Sequence, residues 1–580
     1  MESILLMVLV FVGYIIMYQL YGKYIGKKIF KLNNNNSVPA VEFEDGVDFV
    51  PTKKEVIFGH HFASIAGTGP IVGPAIAVIW GWLPALIWVF VGSIVMGATH
   101  DFGTLIISMR NQGKSISEFT GKYINPRTKY FFFFIVFMEL WILVAIFGLV
   151  IAILFKMFPQ AVIPVWLQIP IAIYLGYLVY KKGANLTLWS IIAVLFMYLT
   201  IVLGSYLPLN MPAAFGLSPV AIWSVLLLTY AFFASVLPVT TLLQPRDYIN
   251  SHQLVVALAL LVLGVIFAGL GGHLQVVAPA IRPHPAATPP LWPFLFITIA
   301  CGAISGFHAL VSSGTSSKQI RKESDSLFVG YGSMLMEGAL ATLVIIATTA
   351  GIGMGYLDKS GHLLTGFAAW TQHYSSWSAA GGLSSKVGAF VEGAANMIET
   401  IGIPKTIAMT IMGVFVASFA GTTMDTATRV QRYLITETFP KTFSNKFVST
   451  GFVILAALFL MFSSGADGKG ALSLWPLFGA VNQTLAALAL IVITIYLKKR
   501  SRWGWLISAL PALFMLTVSL WAVIDNQTIF GQKHNILLQV LNAIIFISMV
   551  WISIEGGIKL IKTSYSPHKN KEEKEPIFKK

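Results

Sequence analysis

Gly59-His60-His61-Phe62-Ala63-Ser64-Ile65-Ala66-Gly67-Thr68-Gly69-Pro70-Ile71-Val72-Gly73-Pro74 is the stretch whose reading decides the fold. Its last eight residues hold three glycines and two prolines. Each proline removes a backbone donor and each glycine lowers the cost of non-helical dihedrals, so a continuous helix is not expected through it. In hydrocarbon, backbone released from a helix is tolerated only where protein or a water-filled cavity covers it. The stretch reads as a helix broken at membrane depth, with free N–H and C=O groups turned towards a ligand. The alternative is an entry loop with a proline at the first helical position of the next span.

The rest of the chain supplies the membrane setting. Of 580 residues, 56% are hydrophobic and 11% charged, and the mean hydropathy is +0.76. Runs of about twenty apolar residues, each long enough to cross the hydrocarbon core, recur near 3–21, 62–79, 83–107, 131–155, 163–180, 186–207, 221–240, 254–270, 291–315, 330–354, 405–428, 447–464, 471–497, 504–523 and 537–561. These predict an all-α polytopic protein of about fifteen transmembrane helices. The runs do not alternate, which excludes a transmembrane β-barrel. The single cysteine, Cys301, excludes an intrachain disulfide framework.

The net charge of +15 lies in short segments between the runs, which argues against nucleic acid as a partner and for the positive-inside pattern. With Met1 outside, every second loop carries the basic residues: Lys31 and Lys53, then Arg110 and Lys114, Lys181 and Lys182, Arg246, Lys318 and Arg321, Arg429 and Arg432, and Lys498 to Arg500. The expected organisation is a first transmembrane helix over 1–30 and a solvated cytoplasmic loop over 31–58. A transporter core follows over 59–440, with an external, lid-like segment at 356–403. Additional helices over 441–562 and a cytoplasmic tail over 563–580 complete the chain.

A second interruption, Ala234 to Thr241, falls in the seventh run. Counting the second run as the first core helix makes the seventh the sixth, and the LeuT-like inverted-repeat core breaks those same two helices. The ninth run then supplies Ser312, Ser313 and Thr315 as hydroxyls for a sodium site, or as hydroxyls bonded to their own helix. The break residues His61, Ser64, Gly67, Thr68 and Gly69, with Thr240, Thr241 and His308, are the candidate substrate ligands. Ionisable groups inside spans are costly and mark ion pathways. His100, Asp101 and Glu337 are the candidates for proton coupling. Asp425 is expected to pair with Arg429 one turn on, Glu139 to make a structural hydrogen bond, and Asn482-Gln483 to bond between helices. No GxxxxGK[ST] loop, TVGYG filter or HExxH pair occurs, which argues against an ATP-driven pump, a potassium channel and a metalloenzyme.

Beyond the break stretch, three motifs are specific: Gly97-Ala98-Thr99-His100-Asp101-Phe102-Gly103, Pro245-Arg246-Asp247-Tyr248, and Gly306 to Thr315. Together they resemble the carbon starvation protein CstA family, over most of the chain to about residue 500. The resemblance implies a bacterial inner-membrane transporter of pyruvate or small peptides, induced in carbon starvation, with proton symport proposed for its pyruvate carriers. It also implies the amino acid–polyamine–organocation superfamily. The reading is a secondary active importer, not an enzyme, with no cofactor and H+ as coupling ion. Na+ symport, or a channel or sensor without concentrative transport, is the alternative. Its partners would be a small-molecule substrate and membrane lipid.

Overall fold

The computed structural model describes residues 1–358 and 360–565. Among them, twelve helices are long and apolar enough to cross a membrane, or thirteen when the bent pair Lys54–Ile65 and Gly69–Trp80 is taken as one span. The runs expected at 291–315 and 447–464 take other forms. The first is two short helices, Leu291–Thr298 and Gly306–Gly314, and the second is the seventeen-residue helix Lys446–Phe462. The tail beyond Tyr565 lies outside the described residues.

Helix breaks organise the centre. The bent pair turns by 46° between Ile65 and Gly69, as the glycine and proline content requires. The second break is not where the sequence suggests. Pro219–Val236 is an unbroken helix, and Leu237 to Leu242 form the turn that joins it to Leu243–Leu270. Pro238 therefore ends a helix, as prolines do when another segment begins soon after. The interruption lies instead at residues 299–305, between the two short helices of the ninth run. There Asn482 Oδ1 accepts from Phe307 N–H at 2.9 Å and from Ser305 Oγ at 3.1 Å, capping the second half-helix. Gln483 Nε2 donates to Phe296 O at 2.7 Å. Both amides bond between helices, as expected, and tie the helix that carries them, Trp475–Arg500, to the ninth run.

The segment at 356–403 packs on one end of the bundle. A two-residue ribbon, Tyr356–Leu357 with Leu363–Leu364, leads into helices Gly366–Tyr374, Trp377–Gly381 and Leu383–Glu399. Tyr374 donates to Ala75 O at 2.6 Å, and Asn396 Nδ2 to Gly351 O at 3.0 Å and Gly355 O at 2.8 Å. At the opposite end, much of residues 31–53 is exposed, but the stretch is shorter and more tied down than a free loop over 31–58. Lys54–Ile65 is already helical, Thr52 bridges to Ile320, and Val239 N–H donates to Val47 O at 3.0 Å. The stretch is tied to the bundle at these points and through Val50 and Thr52 N–H, which donate to Lys318 O and Gln319 O at 3.2 Å and 3.0 Å.

Candidate functional site

A cavity of about 530 Å³ meets the first break, a volume in the range of small-molecule sites. Gly67, Thr68 and Gly69 form part of its wall, with Cys301 and Thr423 beside them. The chain here must come very close to its neighbours. A Cβ on Gly67 would collide with the Thr423 hydroxyl, and one on Gly69 with the Cys301 side chain. Thr423 also donates to Ser64 O at 2.9 Å, so this helix tethers the end of the first half-helix. Gly69 begins the second half-helix. Pro70 has no N–H, and Ile71 and Val72 donate to Thr68 O at 3.2 Å and 2.8 Å, so the N–H groups left without a helix carbonyl at this start are those of Thr68 and Gly69. Leu472, Ser473 and Lys533, at the rim, are exposed, so the cavity opens on the face that bears the 356–403 segment.

Beside the cavity runs a fully buried chain of polar groups. His100 Nδ1 lies 2.7 Å from Asp101 Oδ1, and Asp101 Oδ2 lies 2.9 Å from His308 Nδ1. His308 Nε2 lies 3.4 Å from Glu337 Oε2, and Glu337 Oε1 accepts from Gly302 N–H at 3.2 Å. The far end reaches the cavity wall: donor atoms of Cys301, His308 and Glu337 fall within 4.8 Å of one another. A neutral imidazole donates through one nitrogen and accepts through the other, so His308 can take a proton on one side and release one on the other. The structure thus joins the three residues expected to couple protons, and it does so through His308, which the sequence assigned to substrate.

The remaining expected ligands part company. His61 Nδ1 meets Ser316 Oγ at 2.8 Å and Ser64 Oγ meets Thr426 Oγ1 at 2.9 Å, both buried behind the cavity wall. Thr240 and Thr241 sit in the turn after Pro219–Val236 and do not line the cavity, because the helix they were to break is intact. Of the sodium hydroxyls, Ser313 donates to Ala309 O at 2.7 Å and Thr315 to Val311 O at 3.2 Å. Ser312 Oγ is buried without a partner. Two of the three donate to their own helix, Ser313 also accepting from Ile116 N–H at 3.1 Å, and it is Thr423 that meets the carbonyl at the break. Glu139 makes no structural hydrogen bond, since both its carboxyl oxygens are buried and unpartnered among the described residues.

Asp425 does not pair with Arg429. It is bound by Arg246, whose guanidinium also meets Tyr230 and donates to Thr422 at 3.1 Å. Next to Arg246, Asp247 Oδ2 lies 2.6 Å from His60 Nδ1. Arg246 therefore sits inside a helix within a buried network, not in a basic loop. Arg429 turns the other way. It reaches Asp48 Oδ1 at 2.8 Å and caps the end of Pro219–Val236 through Ala234 O at 3.1 Å and Leu237 O. Tyr433 and Arg432 close on the same carboxylate at 2.5 Å and 3.4 Å. Burial pushes the Asp48 carboxyl up, but Arg429 and Arg432 outweigh it and hold the group below the ordinary carboxylate range. These groups form a clasp around the Asp48 carboxylate. Sequence reasoning missed Asp48, Thr423 and Arg246. For Arg246 the signal was present in the motif Pro245 to Tyr248, but its charge was read as a loop charge.

The family model described as "Carbon starvation protein CstA" matches residues 2–522. The peptide transporter CstA of Helicobacter pylori is 32% identical, covering 96% of this chain and 87% of the relative. The peptide transporter CstA of Bacillus subtilis is 33% identical, with 94% of each covered. The pyruvate/proton symporter BtsT of Escherichia coli is 32% identical over 88% of this chain and 80% of its own. Among solved structures, a manganese transporter of Eremococcus coleocola is 13% identical with a TM-score of 0.47, covering 90% of this chain and 99% of its own. MhsT in complex with L-phenylalanine is 12% identical with a TM-score of 0.45, covering 87% and 99%.

Proposed function

The chain belongs to the carbon starvation protein CstA family, and from that membership we propose that it imports pyruvate or small peptides in symport with protons. It is a multi-pass membrane transporter and not an enzyme. The observation that carries proton coupling is the buried series His100, Asp101, His308 and Glu337, which ends beside the cavity at the broken helix. Intramembrane carboxyl and imidazole groups in a row are how proton-driven carriers conduct a proton. The helix start at Thr68 and Gly69 carries partial positive charge, and the N–H groups of these two residues suit a substrate carboxylate.

In this reading the cavity mouth faces outside and the clasp at Asp48 is the closed inner gate. The charge pattern supports that orientation, with Met1 outside and the carboxyl terminus in the cytoplasm. Substrate binds at the break, Glu337 takes or gives up a proton through His308, and the clasp opens as the outer face closes. Sodium is the weaker coupling ion, because the Ser313 and Thr315 hydroxyls are turned to their own helix. The test is uptake of labelled pyruvate and a labelled dipeptide into proteoliposomes holding the purified chain. Accumulation is expected under an inward proton gradient, to be abolished by an uncoupler and unaffected by replacing sodium with potassium. Equilibration without accumulation would overturn symport.

A further inference from the structure

Lys386 stands in the first turn of the helix Leu383–Glu399, within the 356–403 segment, and lines the cavity that reaches Gly67 and Gly69. Its surroundings are hostile to a cation. The side chain is only 7% exposed, and no carboxylate pairs with its Nζ among the described residues. It also sits at the helix end where the macrodipole disfavours positive charge. The face of Trp475, 5.5 Å away, gives it a weak cation–π contact. Burial alone brings its ammonium down to about 8, with no opposing charge to hold it up. A structural lysine would be paired or would extend to bulk water. This one ends at a cavity.

The wall of that cavity has a definite charge. Lys386 is inside it and Lys533 at its rim, while among the described residues none that lines it is Asp or Glu. An anion entering would be met by two cations. A zwitterionic peptide would bring an ammonium for which the wall supplies no carboxylate partner, and an unpaired buried ammonium is expensive.

We propose that Lys386 is the carboxylate-binding residue on the outer side of the site, and that it selects small monoanionic carboxylates over zwitterionic peptides. This rests on the importer reading above and narrows its substrate class. The lysine meets the carboxylate from the lid side, so a bound anion also ties the lid segment down over the cavity. The opposite pole of the site is the half-helix beginning at Gly69. Specificity then comes from a missing partner as much as from a present one.

Proteoliposomes holding the full chain, loaded with labelled pyruvate under an inward proton gradient, test this. In the wild type, unlabelled lactate should compete with pyruvate, whereas lactamide and dialanine should not. Lys386→Met should raise the KM for pyruvate about tenfold or more, with the maximal rate changed far less. Lys386→Arg, which keeps the charge, should restore most of the affinity. An unchanged KM in Lys386→Met, or dialanine competing as well as lactate, would overturn the proposal while leaving the importer reading intact. A wild type that accumulates none of these solutes under the gradient overturns both. Should Lys386→Met fail to insert, the wild-type competition series decides the question alone.

Discussion

His308 Nε2 lies 3.4 Å from Glu337 Oε2, and among the described residues neither atom has a hydrogen-bond partner of its own. Unpaired polar atoms in a membrane interior are costly and call for an explanation. Under the proton-symport proposal this pair is a proton site between an imidazole and a carboxyl, with the other face of the ring already held by Asp101 at 2.9 Å.

Asp101→Asn and Glu337→Gln keep shape and hydrogen-bonding capacity but remove a titratable group. Because His308 joins the two acids, both variants should lose uphill, proton-driven uptake and equilibrate only. Both should retain exchange of labelled for unlabelled pyruvate, which needs no net proton movement. Concentrative uptake in either variant would remove that carboxyl from the coupling path.

Gly67→Ala and Gly69→Ala should each lose transport while still inserting. The added methyl meets Thr423 in one case and Cys301 in the other, in a wall with no slack. Overpacking of this kind costs about 1–3 kcal/mol, enough to displace the break from its ligand geometry. Measured uptake in both variants at wild-type rates would show that the break does not touch substrate.

Ser313→Ala and Thr315→Ala should leave uptake and its indifference to sodium unchanged, since each hydroxyl bonds a carbonyl four residues back in its own helix. The loss should be limited to stability, about 0.5–1.5 kcal/mol for Thr315→Ala and about 1–3 kcal/mol for Ser313→Ala, which also leaves the Ile116 N–H without its acceptor. A sodium-dependent KM that rises in either variant would instead return these hydroxyls to a cation site.

Asp48→Asn should loosen the clasp. The carboxylate gathers Arg429, Arg432 and Tyr433, and removing one partner of such a pair leaves guanidinium charge poorly compensated, at on the order of 1–3 kcal/mol. Faster hydrogen exchange in residues 47–52 and in the turn at 237–242 is the readout. The sign with pH follows from the direction of its shift. Its folded pKa lies below the ordinary carboxylate value, so its stabilisation is complete above that value and is lost as pH falls through the folded one. Between pH 5 and 8 the wild-type clasp should therefore hold unchanged, to be checked by the same exchange measurement.

Cys301 lines the cavity wall beside Gly69 and is the single cysteine of the chain. A small uncharged thiol reagent should label it slowly, and saturating pyruvate should slow that labelling several-fold by occupying the cavity. Labelling indifferent to pyruvate would place the substrate elsewhere.

What this sequence settled by itself is what depends on local chemistry. Apolar runs of membrane length, basic residues gathered between them, and glycine and proline crowded into Gly67 to Pro74 each act within a few residues of chain, so spans and the first break were legible. Polar residues placed inside apolar runs likewise pointed to His100, Asp101 and Glu337 as groups that must find partners. Which partners they find was decided only by the tertiary structure. Asp101 meets His308 across 207 residues and Asp48 meets Arg429 across 381, and no local propensity distinguishes those pairings from Asp425 with its neighbour Arg429. The same holds for the second break. Pro238 looks disruptive in sequence and the residues at 299–305 do not, and only packing shows that the first ends an intact helix while the second is opened and capped by Asn482. A side chain's cost in a membrane can be read from the chain, but the group that offsets it lies wherever the fold brings two helices together.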